Sequence, residues 1–185
     1  LIGGKGEYGS STRIKSPNAV ITSGCGWRDV SNSPHTPPQP NFHQAIDIAG
    51  VGIKLPQTCP FKEGYVKFSG GIGIILIEEL KGTTRTGRAC RFIHTNQRLV
   101  EQGDKVKFGD VVGHEGTSNN YDIHSHFEMM FLNRKADETT VDGKTTVKDT
   151  AQAGAVFFCP TIEEIKCGHG MSPTPLPYPV KETLP

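Results

Sequence analysis

Between Lys54 and Gly113 the chain leaves no room for a long helix, because short β-type runs alternate there with glycine turns. The runs are Gly64-Tyr65-Val66-Lys67-Phe68, Ile72 to Ile77, and Ala89-Cys90-Arg91-Phe92-Ile93-His94. Val100 to Gly113 follows, with two Gly-Asp steps (Gly103-Asp104 and Gly109-Asp110) and valines at period two, a pattern that predicts tight antiparallel hairpins. Strands this closely spaced predict an all-β barrel or sandwich. The 22 Gly and 13 Pro agree, since both residues punctuate elements and leave few, short helices.

The remaining segments set the expected organisation. Residues 1–18 are Gly- and Ser-rich and read as an N-terminal arm or linker. The start at Leu1, followed by Gly3, Gly4 and Lys5, lacks the basic-then-apolar pattern of a signal peptide and suggests a processed or truncated product. Ala19 to Ser23 reads as a strand, and residues 31–41, with Pro34, Pro37, Pro38 and Pro40, as a surface loop. The body is expected over 19–168, with the polar stretch 133–155 as an insertion or long hairpin. Thr161 and Glu164 predict a short capped helix, and 169–185 a proline-rich tail.

The longest apolar run, Ile72 to Ile77, is too short to span a bilayer, and a formal charge of +1 gives no reason to expect nucleic acid or an acidic membrane as partner. Cys25, Cys59, Cys90, Cys159 and Cys167 have no C-x-x-C spacing, which argues against a zinc knuckle. Scattered cysteines in a loop-rich chain favour disulfides and an oxidising compartment. The pairs Cys159–Cys167 and Cys59–Cys90 are expected, with buried free thiols as the competing reading.

Chemistry enters through two segments. In Phe42-His43-Gln44-Ala45-Ile46-Asp47-Ile48, period-two alternation puts His43 and Asp47 on one face and Phe42, Ile46 and Ile48 on the other. In Ile123-His124-Ser125-His126-Phe127-Glu128, the same rule groups His124, His126 and Glu128 against Ile123, Phe127, Met129 and Phe131. Either motif alone occurs by accident in many proteins, and it is the two together that predict a metal site. His43, Asp47 and His126 would give two imidazoles and one carboxylate, the donor set of catalytic zinc with one open position. His124, on the same strand face, suits proton transfer, and His94 at the end of its own strand is the candidate donor to an oxyanion. His35, His114 and His169 read as solvated loop residues. Glu128 reads as a solvated or structural carboxylate rather than a hydrogen-bond partner behind a ligand, and Trp27 as core or cleft wall.

The ordered series His43-x-x-x-Asp47, Phe92-Ile93-His94, the Gly-Asp turns and His124-Ser125-His126-Phe127-Glu128 resembles the LytM/lysostaphin-type zinc endopeptidases, from about Ile21 to Met130. The resemblance implies an antiparallel β-sheet/barrel-sandwich hybrid with an open groove, binding one Zn2+. It implies peptidoglycan hydrolase activity, with the stem peptides of bacterial peptidoglycan as substrate. By position His43, Asp47 and His126 correspond to the zinc ligands, and His94 and His124 to the catalytic histidines. Ser125 departs from the leucine usual between the two histidines, and since it points away from the metal its effect is expected on packing. The loop 118–122 also departs from the family's Gly/Ser-rich version.

Such an enzyme is expected to be secreted or periplasmic, and the cysteines tilt the substrate towards D-alanyl–diaminopimelate bonds rather than glycine bridges. The alternative is a latent or non-hydrolytic relative serving as scaffold or activator in a cell-envelope machine, which the complete histidine set disfavours. A lipoyl- or biotin-carrier reading of Gly103 to Gly113 fails because Lys105 is not at a hairpin tip with a recognisable signature.

Overall fold

The structure, a computed structural model, describes residues 13–14, 19–28, 41–116, 123–133, 138–141, 144–147 and 155–179. The loop holding His35, the loop 118–122 and most of the arm 1–18 lie outside these residues. The strands are β1 (Arg13–Ile14), β2 (Ala19–Ser23), β3 (Gly26–Arg28), β4 (Asn41–His43), β5 (Ile46–Gly50), β6 (Pro56–Thr58), β7 (Glu63–Gly70) and β8 (Ile74–Lys81). They continue as β9 (Thr84–Ile93), β10 (Lys105–Lys107), β11 (Val111–His114), β12 (Ser125–Phe131), β13 (Glu138–Val141), β14 (Lys144–Val147) and β15 (Val156–Phe158), and one helix, α1 (Ile162–Cys167), is described.

The fold is all-β and antiparallel. Nine strands form one sheet in the order β1-β2-β5-β12-β9-β8-β7-β10, with β15 joining β12 beside β5. β12 is therefore central: its start pairs with β5, its end with β15, and His126 to Phe131 with β9. Consecutive residues on β8, β9 and β12 are buried because both sheet faces are covered. One face carries the main core, where Ile21, Ile46, Ile48, Ile75, Ile77 and Val66 surround a Phe92–Phe127 stack at 5.3 Å. The other carries a smaller cluster of Leu76, Ala89, Met130 and Leu132.

The Gly-Asp stretch forms turns, but not hairpins between its own strands. β10 pairs with β7 and β11 with β6, so each short run completes a distant partner. The two turns are alike: Asp104 Oδ2 accepts from the Glu101 amide and Asp110 Oδ2 from the Lys107 amide, each at 2.8 Å. Ile72 falls outside β8, in a turn between Gly71 and Gly73, both in the left-handed region. In the polar stretch, β13 pairs with β14. Trp27, read as core or cleft wall, is not in the core: it is 56% exposed and lies edge-on to Phe42 across the β3–β4 pair.

The cysteine pairing differs from the expectation. Cys25, at the β2–β3 corner, is bonded to Cys159 just past β15, and the pairs Cys159–Cys167 and Cys59–Cys90 do not form. The return of β15 along β12 brings those two Cα atoms to 5.6 Å. Cys59, Cys90 and Cys167 are buried free thiols. Burial pushes the Cys59 thiol up to about 12 and the Cys167 thiol to about 11, so neither is an ordinary nucleophile near neutral pH.

The capped helix forms as expected. Thr161 Oγ1 accepts from the Glu164 amide, and Glu164 Oε1 accepts from the Thr161 amide at 2.7 Å. α1 puts Ile165 into the core and delivers His169, which is fully buried rather than solvated in a loop. Its Nδ1 donates to the Ile165 carbonyl at 2.7 Å, and its ring packs against Phe92 and Phe127. The chain then runs back over the body, where Leu176 is buried and bridges Phe61, and Arg88 donates to the Pro177 carbonyl.

Burial lowers the His169 pKa from its ordinary 6.5 to about 4. The unfolded chain therefore takes up this proton first as pH falls. Stability is full above about pH 6.5 and declines towards pH 4, by about 3 kcal/mol on this group alone. Urea unfolding at pH 7 and pH 4.5 checks this, and His169→Gln should flatten that part of the difference.

Candidate metal centre

The site forms where β4, β5, β9 and β12 end or begin together. Asp47 and His126 are direct cross-strand partners, and His126 also faces Ile93, the residue before His94. Register alone therefore brings three chain segments to one point. His43 and Asp47 do not share one strand, as the alternation implied, because Gln44 and Ala45 break the chain between β4 and β5. The two side chains still meet across the break, with His43 Nε2 at 3.6 Å from Asp47 Oδ1.

His43, Asp47 and His126 each place one donor atom within 4.8 Å of the other two. His126 Nδ1 lies 3.0 Å from Asp47 Oδ1. A tetrahedral shell with bonds of about 2.0–2.1 Å sets neighbouring donors roughly 3.3 Å apart, so these spacings fit a zinc-sized ion. The tautomers fit as well. His43 Nδ1 donates to the Gly24 carbonyl at 3.0 Å, which turns the Nε2 lone pair towards Asp47. His126 Nε2 faces Glu128 Oε1 at 2.8 Å, which leaves Nδ1 for the cluster.

Glu128 is thus not a solvated carboxylate. It is buried, and Arg91 grips it with two bonds, Nε at 2.6 Å and Nη2 at 2.9 Å. Arg91 and Glu128 are cross-strand partners on β9 and β12. Sequence reading missed this pair, and the available signal was that Glu128 and His126 alternate on one strand face.

The electrostatics follow from these contacts. Burial would raise the Asp47 carboxyl, but the His126 hydrogen bond and the charges of His43, His126 and His124 outweigh it and hold it at about 2. Burial would lower His126, but its bonds to Asp47 and Glu128 lift it to about 9. Burial and the neighbouring His124 and His126 charges hold His94 below its ordinary value, which favours the neutral ring.

His94 and His124 stand together at the edge of the cluster, with ring centroids 5.0 Å apart. His124 Nε2 is 3.8 Å from Asp47 Oδ1, and the His94 ring is 5.8 Å from that of His126. His94 has a φ of +63°, in the left-handed region rarely taken by residues other than glycine. The backbone approaches closely around it. A Cβ at Gly116 would sit 2.6 Å from the His94 carbonyl oxygen, and one at Gly73 only 2.4 Å from that of Thr95. His114, read as a solvated loop residue, is instead half-buried at the end of β11, and it is not among the clustered donor atoms.

No protein-family model matches the chain, and no curated protein does. Solved structures similar to it include LytU, with 24% identity and a TM-score of 0.46, over 67% of this chain and 75% of that one. The antimicrobial peptidase lysostaphin from Staphylococcus simulans is similar over 67% of this chain and 49% of its own, at 20% identity and a TM-score of 0.48. A zinc-containing peptidase from Vibrio cholerae is similar over 71% of this chain and 36% of its own, at 20% identity and a TM-score of 0.45. At these values the functional reading rests on the atoms of the site itself.

Proposed function

We propose that the protein is a zinc-dependent endopeptidase that hydrolyses peptide cross-links of bacterial peptidoglycan. The observation that carries this reading is the convergence of His43, Asp47 and His126 on one point with His94 and His124 beside them. The three would hold the metal through His43 Nε2, an Asp47 carboxylate oxygen and His126 Nδ1. Zinc so held supplies Lewis acidity, lowering the pKa of water and polarising an amide carbonyl.

The chain's own groups supply the rest. His126 gives up its Nδ1 proton for the metal while Glu128 keeps the Nε2 proton engaged, so the ring stays oriented. His124 takes a proton from the attacking water and returns it to the leaving amine. His94, favouring the neutral ring, keeps one N–H to donate to the developing oxyanion. The peptide-bond specificity inferred from the cysteines, D-alanyl–diaminopimelate, belongs to this proposal, as does secretion to an oxidising compartment, which the Cys25–Cys159 bond supports. No helix among the described residues is long and apolar enough to cross a membrane.

The test is metal removal. The zinc-loaded protein should split cross-linked muropeptide dimers into monomers, lose the activity on exhaustive chelation and regain it with zinc. Activity that survives chelation overturns the proposal. A protein that binds zinc at this site yet leaves muropeptides uncut would point to the scaffold reading.

A further inference from the structure

Beneath the histidines runs a chain of buried or partly buried hydrogen bonds that the chemistry above does not use. Thr95 Oγ1 donates to Gln57 Oε1 at 2.7 Å, and Gln57 Nε2 donates to Ser125 Oγ at 3.0 Å. Ser125 Oγ meets His169 Nε2 at 2.8 Å, and His169 Nδ1 meets the Ile165 carbonyl at 2.7 Å.

One assignment satisfies every member. A carbonyl only accepts, so Nδ1 of His169 carries the proton and Nε2 accepts from the Ser125 hydroxyl. Ser125 has then used its one proton and must accept from the Gln57 amide nitrogen. The Gln57 oxygen is left for the Thr95 hydroxyl. The chain is directional from end to end, and loss of any link leaves a partner unsatisfied in a protein interior.

Its location gives it a role. Thr95 is the residue after His94, and Ser125 lies between His124 and His126 with its side chain on the opposite strand face. Gln57 spans the two. The anchor at the far end is firm: the Thr58 amide donates to the Gly168 carbonyl at 2.8 Å, and the Thr58 hydroxyl donates to that of Cys167 at 2.8 Å. Residues 57–58 and 167–170 therefore form one stitched unit under the site.

We propose that Thr95, Gln57, Ser125 and His169 are positioning residues, which hold the backbone carrying His94 in register with the strand carrying His124 and His126. They touch neither substrate nor metal. The inference rests on the hydrolytic reading only for its rate measurement. Catalytic groups displaced by a fraction of an ångström lose rate more than affinity, so the effect falls on kcat.

The experiment compares Thr95→Val, Ser125→Ala and the double variant with the parent protein. Zinc-loaded samples are assayed on muropeptide dimers, and histidine ring resonances are followed by long-range 1H–15N NMR on metal-free samples. Each single variant should lower kcat about tenfold or more with KM within about twofold. The double variant should be no slower than the worse single, because one chain is broken only once. Ser125→Ala should also move the His94 ring signals, and Thr95→Val those of His124. Unchanged kcat, multiplying effects, or His94 signals unmoved by Ser125→Ala would overturn the proposal. If the parent cuts no muropeptide, the hydrolytic reading fails and the ring signals alone decide the chain. If Ser125→Ala does not fold, Thr95→Val carries the same test, with unmoved His124 signals the overturning result.

Discussion

Replacing His124 by alanine should leave zinc bound and lower kcat by about 10²- to 10⁴-fold, the usual contribution of a positioned proton-transfer group. His124 is outside the group of donors that could hold the metal, and its Nε2 is 3.8 Å from Asp47, close enough to serve the same small volume. Replacing His43 should instead remove metal and activity together. Its Nε2 is one of three clustered donors among the described residues, and the remaining imidazole and carboxylate would then face each other as a plain ion pair. Zinc content measured alongside muropeptide turnover separates the two results. Zinc lost from His124→Ala would make that residue a ligand, and full turnover in it would move the proton transfer to His94.

Opening the Cys25–Cys159 bond should cost about 4–5 kcal/mol, because the bond closes a loop spanning 134 positions and the chain-entropy estimate rises with loop length. For a chain of this size that corresponds to a fall in Tm of roughly 10–15 °C. Calorimetry of Cys159→Ser against the parent protein measures it, and a change below about 1 kcal/mol would show that β15 holds its place without the bond. A second effect should accompany the first. Cys25 follows Gly24, whose carbonyl fixes the tautomer of His43, so zinc affinity should fall with stability. The three remaining thiols are buried and should resist labelling in the native protein.

These outcomes depend on features of unequal visibility in the sequence. The all-β architecture was legible because alternating runs and glycine turns are local signals, and so was the α1 capping box, whose partners are three residues apart. The His43, Asp47 and His126 cluster was legible because each motif is short and its residue types are unusual on a strand face. What stayed hidden depends on register. The Arg91–Glu128 grip requires β9 and β12 to pair with those residues opposite. Cys25 meets Cys159 only because β15 returns beside β12, and no spacing rule encodes that. The burial of His169 follows from α1 being drawn under the sheet, whereas its flanking glycines suggested a loop. Ser125 was seen to face inward, but its partners come from residues 57 and 169, far away in the chain.

The central place of β12 bears on the order in which a nascent chain assembles its site. A ribosome that has released everything through residue 94 has delivered His43, Asp47 and His94, yet the cluster still lacks the His126 nitrogen. That atom arrives only when residue 126 slides between β5 and β9, an event that also closes the middle of the sheet. If the proposed function holds, competence to cut would therefore be reached only once the middle of the sheet is closed.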